Sequence, residues 1–347
     1  MASIRLENIT NYSCKCVNLE IKDGQMMVVI GQTGAGKTTL LNIISGLVSY
    51  EGSVYFDEEC MDSVLPRYRD VGYLFQSFAL FPNLTVRENI AFGLEVRHMR
   101  QEDIAKRVNE LTSMLAIEHI VDRYPKGLSG GEKQRVAFAR TLAPKPKILL
   151  LDEPFSSLDP RTASVLRSEI RSLQKRLHIT TIFVTHNQKD AFDLADSVVV
   201  VDNGTIAQVG KPLEMLFYPK TPSVHYLLGS PTILKCDEVV VLDFGLAKVL
   251  SGSLSLIVAH EGGFFNKLAI LSNEIRLSKY PIESAIPNKF KARVSDVKFQ
   301  KTIAHISLET QGTTLMAELS MVNWEQLRVD IEDEIFIAIP FSAIKIS

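Results

Sequence analysis

The chain has 347 residues, 46% of them hydrophobic and 22% charged, which is long enough for two domains with their own cores and too apolar for a disordered chain. A formal net charge of −2 provides no basic field, so neither nucleic acid nor an anionic lipid surface is an expected partner. No stretch approaches the roughly eighteen continuous apolar residues that cross a bilayer, and the first seven residues turn charged too early for a signal peptide, so any membrane role requires docking to another subunit.

In chain order, Ile4-Arg5-Leu6 and Val17-Asn18-Leu19-Glu20-Ile21 alternate apolar and polar residues, predicting an antiparallel layer with one solvated face. Cys14 and Cys16 lie two apart, but no second Cys or His pair stands nearby to complete a tetrahedral zinc site. With Cys60 and Cys236 they read as strand or loop thiols in a reducing compartment. Residues 26–30, 148–151 and 181–184 are short, wholly apolar runs of the kind found in parallel strands covered on both faces. Between residues 77 and 146 the pattern becomes helical: Thr85-Val86-Arg87-Glu88 predicts a capping box, and 104–115 and 132–142 carry apolar residues at helical spacing. The run 198–201, Asp202-Asn203-Gly204 and 205–209 predicts a hairpin with Asn-Gly at its turn. Pro219, Pro222 and Pro231 mark a linker, after which short β-type runs (238–242, 254–258, 290–297, 303–308, 313–319 and 334–339) predict a small barrel or sandwich. The expected organisation is an α/β domain over residues 1–230, with a helical insertion at about 77–146, and a β-rich domain over 231–347.

Gly31-Gln32-Thr33-Gly34-Ala35-Gly36-Lys37-Thr38 fits the phosphate-loop pattern without a mismatch, between an apolar β-run and a helical run that begins at Thr39. Its glycines allow backbone N–H groups to turn inward as an anion nest at a helix N-terminus. Lys37 is placed to bridge the β- and γ-phosphates, and the Thr38 hydroxyl to ligate Mg2+. A phosphate loop alone does not separate kinases, GTPases and motor ATPases. The apolar run 148–151 then delivers Asp152 and Glu153 at its carboxyl end. Asp152 reads as a metal carboxylate, and Glu153 as the general base that polarises the attacking water. His186 ends the 181–184 run, and ligands of open parallel sheets sit at the strands' carboxyl ends, so it reads as a γ-phosphate sensor.

Leu128-Ser129-Gly130-Gly131-Glu132-Lys133-Gln134-Arg135 closely resembles the signature motif of ABC ATPases and lies, as in that family, shortly before the Asp152 strand. Gln76 is similar to the Q-loop glutamine, Ser157-Leu158-Asp159 to the D-loop and His186 to the switch histidine, while Tyr12 stands where the family places an adenine-stacking aromatic. The resemblance covers roughly residues 3–230. It implies an α/β P-loop fold, ATP and Mg2+ as ligands, Gln76 beside Thr38 and Asp152 at the metal, and Ser129, Gly130, Gly131 and Asp159 contributing to ATP held by a partner. That partner is a second copy of the chain, in a head-to-tail dimer with two composite sites. Ser129 and Gly131 lie at a helix N-terminus, a physically suitable anion site. Membrane permease subunits docking near residues 76–84, and indirectly a solute-binding protein, complete the implied partners of an importer at the cytoplasmic face of the membrane. Departures are Gln32 where relatives commonly carry proline, and a shortened loop around Tyr12.

Residues 233–347 resemble, more weakly, the OB-like (TOBE-type) regulatory domain of solute-importer ATPases, akin to molybdate-binding modules. Leu271-Ser272-Asn273-Glu274 replaces that domain's usual Arg-Pro-Glu motif, and 320–327 lacks the Ser- and Lys/Arg-rich turn of an oxyanion pocket. A structural role, extending a dimer interface, therefore stands beside oxyanion regulation. The cargo this resemblance implies is molybdate or tungstate, with sugar, polyamine, sulfate and ferric ion open. A non-transport ABC ATPase of translation or DNA repair usually carries two nucleotide domains or a long coiled-coil insertion, and a P-loop kinase leaves residues 128–135 unexplained.

Overall fold

The computed structural model describes residues 2–156, 158–300 and 303–347. Contacts divide the chain into two units, Met1–Pro212 and Leu213–Ser347, so the division falls earlier than residue 230.

The first unit runs β1 (Ile4–Thr10), β2 (Val17–Ile21), β3 (Met26–Ile30), α1 (Lys37–Ser45), β4 (Glu51–Phe56), β5 (Glu59–Cys60), β6 (Val71–Leu74) and α2 (Val86–Val96). It continues through α3 (Gln101–Met114), α4 (Gly130–Leu142), β7 (Ile148–Asp152), α5 (Pro160–Leu177), β8 (Thr180–Thr185), α6 (Gln188–Leu194), β9 (Ser197–Asp202) and β10 (Thr205–Gly210). β3, β7 and β8 are buried at every position, as unbroken apolar runs require, whereas β2 alternates buried and exposed. They belong to a six-stranded sheet ordered β10-β9-β3-β8-β7-β6, parallel except for the β9–β10 hairpin, whose turn places Asn203 and Gly204 at positive φ. A second, antiparallel sheet is ordered β2-β1-β4-β5. Leu40, Leu41, Ile43 and Ile44 of α1 share one core with Ile4, Leu6 and Val54 of this sheet and Val29, Leu150 and Val184 of the parallel one. The helix that follows the phosphate loop is thereby clamped along its length. The predicted capping box of α2 is present, with Thr85 and Glu88 bonding each other's backbone N–H.

The residues read as a linker form two short helices, α7 (Pro212–Phe217) and α8 (Pro222–Leu227). Pro222 sits in the first turn of α8, where its missing N–H costs nothing, and Thr221 caps it. The second unit then runs β11 (Thr232–Lys235), β12 (Glu238–Leu242), β13 (Leu246–Ser251), β14 (Leu254–Ala259), β15 (Lys267–Ile270), β16 (Arg276–Ser278), β17 (Asn288–Gln300), β18 (Ile303–Thr310), β19 (Thr313–Ser320), α9 (Met321–Leu327), β20 (Glu334–Ile339) and β21 (Ile344–Ile346). Its sheets are ordered β11-β15-β21, β12-β13-β14 and β16-β20-β17-β18-β19, around a core that includes Val249, Leu256, Val294, Ile306, Leu315 and Ile337. Residues 320–327, which lack the Ser- and Lys/Arg-rich turn of an oxyanion pocket, form the helix α9 with its Ser320 cap. Ser272, within the segment that departs from the family motif, is fully buried and donates to the Ser230 carbonyl at 2.6 Å, a structural tie.

No helix among the described residues is long and apolar enough to cross a membrane. No cluster of three or more potential His, Cys, Asp or Glu metal ligands occurs among them, and all four cysteines are free thiols.

Candidate nucleotide site

β3 ends at Ile30 and the chain turns through residues 31–36 into α1. Two of its glycines are required, Gly31 by space and Gly36 by space and backbone together. A Cβ on Gly31 would stand 2.4 Å from the Val201 carbonyl oxygen, and Gly36, at φ 102°, would press one to 2.9 Å from the Ser13 carbonyl oxygen. Lys37 is buried, and its Nζ donates to the carbonyls of Gly31 and Gln32, both at 2.9 Å, so the ammonium closes the loop on itself. Burial lowers its pKa, against the opposing pull of Glu153 and then Asp152. The Thr38 hydroxyl donates to Asp152 Oδ1 at 3.0 Å. Asp152 is 5% exposed, and burial raises its carboxyl pKa against the Thr38 hydrogen bond. Burial thus pushes the ammonium and the carboxylate each toward its neutral form, a perturbation common at functional sites.

Glu153 occupies the left-handed region at φ 45°, unusual for a residue with a side chain, and its N–H is fixed by the Val184 carbonyl at 3.0 Å. This turn sets the carboxylate beside the end of β8. Glu153 Oε2 lies 3.2 Å from His186 Nδ1 and accepts from Gln76 Nε2 at 3.4 Å; that amide also reaches Ser156 Oγ at 3.5 Å. Lys37, Thr38, Asp152, Glu153, His186 and Gln76 therefore converge at the carboxyl ends of β3, β6, β7 and β8. Tyr12 is 78% exposed. Its loop meets the phosphate loop where Ser13 abuts Gly36, and is tied to the β9–β10 turn by the Lys15 N–H, which donates to the Gly204 carbonyl at 2.8 Å.

The signature residues form a separate station. Ser129 is the N-cap of α4, in a reciprocal box with Glu132: its N–H and hydroxyl each donate to Glu132 Oε2 at 2.8 Å, and the Glu132 N–H donates back at 3.3 Å. Gly130 and Gly131 are packed by the turn before α5 and its first turn, where added Cβ atoms would meet Leu158 and Thr162 side chains at 3.3 and 3.2 Å. Asp159 caps α5 by accepting from the N–H groups of Arg161 and Thr162. Ser157 lies outside the described residues. Thr33 and Gly34 are exposed on the loop, whereas Ala35 and Thr39 are buried.

Several supporting residues carried no motif. The Tyr73 hydroxyl donates to Asn42 Oδ1 at 3.0 Å; burial, then the Asp152 charge, push its pKa up. Buried Arg69 donates to the Ile43 and Ile44 carbonyls at 3.0 Å, closing the C-terminal end of α1, and to the Val64 and Met61 carbonyls. Asn89 of α2 is fully buried, donating to the carbonyls of Phe81, Leu84 and Thr85 and accepting from the Phe81 N–H, which moulds the loop after Gln76. Within that loop Phe78 is core, whereas Pro82 is exposed. No spacing rule marks such residues, because their partners are carbonyls brought near by the fold.

The ABC transporter family profile matches residues 14–156. A dimeric structure of MJ0796, described as a bacterial ABC transporter cassette, is 33% identical with a TM-score of 0.56, over 60% of this chain and 98% of that one. The chain belongs to the ABC transporter family. The structure of cbiO1 from Clostridium perfringens, part of the ABC transporter complex cbiONQ, matches at 31% identity and a TM-score of 0.58, over 62% of this chain and 91% of its own. Among curated ABC proteins, the maltose/maltodextrin import ATP-binding protein MalK of Escherichia coli K12 is 46% identical over 237 residues, and that of Salmonella typhimurium 45%. These alignments span 67% of this chain and 64% of the relatives' length.

Proposed function

We propose that this chain is the ATP-binding and ATP-hydrolysing subunit of an ABC importer, working as a head-to-tail dimer docked on membrane permease subunits at the cytoplasmic face of the membrane. The observation that carries the reading is the convergence of Lys37, Thr38, Asp152, Glu153 and His186 at one edge of the parallel sheet. Support for the dimer comes from the signature station, where Ser129, Gly130 and Gly131 lie at the N-terminus of α4, and from the dimeric relative described as a post-hydrolysis state bound to ADP and Pi.

In this reading the triphosphate enters the 31–38 nest, and Lys37 exchanges its two carbonyl partners for phosphate oxygens. Thr38 and Asp152 fit a divalent cation: both offer hard oxygen donors, already 3.0 Å apart, and Mg2+ is commonly held by one or two such groups plus phosphate and water. When bound, the cation would neutralise charge on the phosphate oxygens; Gln76, which donates to Glu153 Oε2 at 3.4 Å, joins this set in the same reading. Glu153 accepts the proton of the attacking water, and His186, against the same carboxylate oxygen, orients it and senses the γ-phosphate. The partner's Ser129 tip closes over the phosphate, for which the Ser129 hydroxyl must leave Glu132. Tyr12 stacks on adenine. Asp159 acts across the dimer interface, and the loop at 76–84 docks the permease, with a solute-binding protein beyond it. The β-rich second unit serves as a regulatory or dimer-extending domain.

For the cargo, the names of the MalK relatives favour a carbohydrate over the molybdate or tungstate implied by the tail. ATP turnover by the chain assembled with its permease should respond to maltodextrin and not to molybdate; the opposite response would reverse the assignment. The ATPase reading is tested by Glu153→Gln, which should retain ATP binding and lower turnover by about a hundredfold or more, the usual yield of a general base. Turnover at the wild-type rate would remove Glu153 from the role.

A further inference from the structure

We propose that Arg167, Asp190 and Thr185 are positioning residues that hold His186 against Glu153, an inference that rests on the ATPase reading above. His186 is an exposed side chain on the two-residue turn between β8 and α6, a place where a short turn has little packing of its own. The turn is closed instead by Thr185, the last residue of β8. Its hydroxyl accepts from the Asn187 N–H at 2.9 Å and donates to Asp190 Oδ2 at 2.6 Å, so the residues either side of His186 are tied to one oxygen. Asn187 in turn caps α6 by accepting from the Lys189 N–H at 2.9 Å. The other oxygen of Asp190, Oδ1, accepts from Nε and Nη2 of Arg167 on α5 at 2.8 and 2.6 Å.

This pair is buried, with side-chain exposures of 7% for Arg167 and 2% for Asp190; Asp193 is a further carboxylate at 3.9 Å from Arg167. An ion pair taken out of water gains little net stability over apolar side chains, but it tolerates few geometries. Its guanidinium also lies over the Phe155 ring at 5.5 Å, and Phe155 follows Glu153 by two residues. One side chain on α5 thus braces both halves of the 3.2 Å His186–Glu153 contact, from the turn side through Asp190 and Thr185 and from the carboxylate side through Phe155. Glu153, Phe155, Arg167, Thr185, His186 and Asp190 line one cavity behind that contact.

The test uses the full chain with Thr185→Val, which removes only the hydroxyl, and Thr185→Ser, which restores it. Thr185→Val should lower kcat by about tenfold, the effect of a barrier higher by about 1.4 kcal/mol, while KM and fluorescent-nucleotide affinity stay within about twofold; Thr185→Ser should recover kcat. In a His186→Ala background, single-turnover rates should show no further loss on adding Thr185→Val, because the hydroxyl acts only through the imidazole. The Asn187 amide should exchange with solvent about tenfold faster in Thr185→Val, a readout independent of turnover. An unchanged kcat in Thr185→Val, or an equal further loss in the His186→Ala background, overturns the proposal. A wild-type chain that binds but does not hydrolyse ATP would remove the ATPase reading instead, and an Asn187 amide equally protected in both chains would then overturn the brace by itself.

Discussion

Replacing Glu318 by glutamine should remove a pH-dependent weakness from the second unit. Glu318 and His305 face each other across β18 and β19, with Glu318 Oε1 and His305 Nδ1 3.4 Å apart and side-chain exposures of 10% and 14%. Glu318 Oε1 and His305 Nε2 have no hydrogen-bond partner among the described residues. The neighbouring cation in the same row, Lys298, is largely exposed and paired with Asp296 at 3.1 Å. Burial accordingly pushes the Glu318 carboxyl up to about 7 from its ordinary 4.5. The folded pKa is thus above the unfolded one, so the proton stabilises the fold fully below the unfolded value, and that stability is lost as pH rises through about 7. A displacement of this size corresponds to about 3 kcal/mol in all, of which about 2 kcal/mol falls between roughly pH 5 and pH 8. Trp324, the single tryptophan of the chain, packs on the core of this unit and reports its unfolding. Urea titrations followed by Trp324 fluorescence should therefore show wild-type stability dropping by about 2 kcal/mol over that range and Glu318→Gln changing far less. A wild-type stability that is flat or rises with pH, or a Glu318→Gln chain with the same slope, would refute the reasoning.

Arg69→Leu should destabilise the first unit by about 3 kcal/mol, because four carbonyls, two of them ending α1, lose their donor; thermal unfolding with and without ATP would measure it, and a loss under about 1 kcal/mol would contradict the role. Ser129→Arg, placed in the Glu153→Gln chain, should abolish ATP-driven dimer closure with ATP affinity intact, at a capping cost of only about 1 kcal/mol; size-exclusion with ATP reads the first and fluorescent-nucleotide titration the second. Glu132→Gln keeps the capping geometry but removes an anion from the helix tip that is to receive phosphate, so ATP-driven closure should require less ATP by about threefold or more; a higher requirement in the same assay would count against the composite site.

The phosphate loop, the Asp152-Glu153 strand end and the Thr85–Glu88 capping box were legible because each is local. A nest, a strand terminus and a capping box are specified by residues within a few positions of one another, and the strands feeding them are unbroken apolar runs. The Asn203-Gly204 hairpin was legible for the same reason: two adjacent residues at positive φ define it. The residues read as a linker failed on the same logic, since Pro219, Pro222 and Pro231 look like breaks, yet Pro222 opens a helix whose cap is Thr221. The β-rich tail offered only short alternating runs, and β11, β13, β15 and β16 passed unread among them.

What the sequence by itself determined is the chemical inventory of the nucleotide site and the family to which it points. Tertiary structure alone decided how those parts are held: Arg69 on the end of α1, Asn89 inside the loop after Gln76, the Arg167–Asp190–Thr185 chain behind His186, and the Glu318–His305 pair. Each joins residues whose nearness comes from chain crossings and from burial, and the strength of each depends on how far water is excluded. A one-dimensional pattern carries neither quantity, since side-chain types repeat along the chain but exclusion of water exists only once the layers have closed.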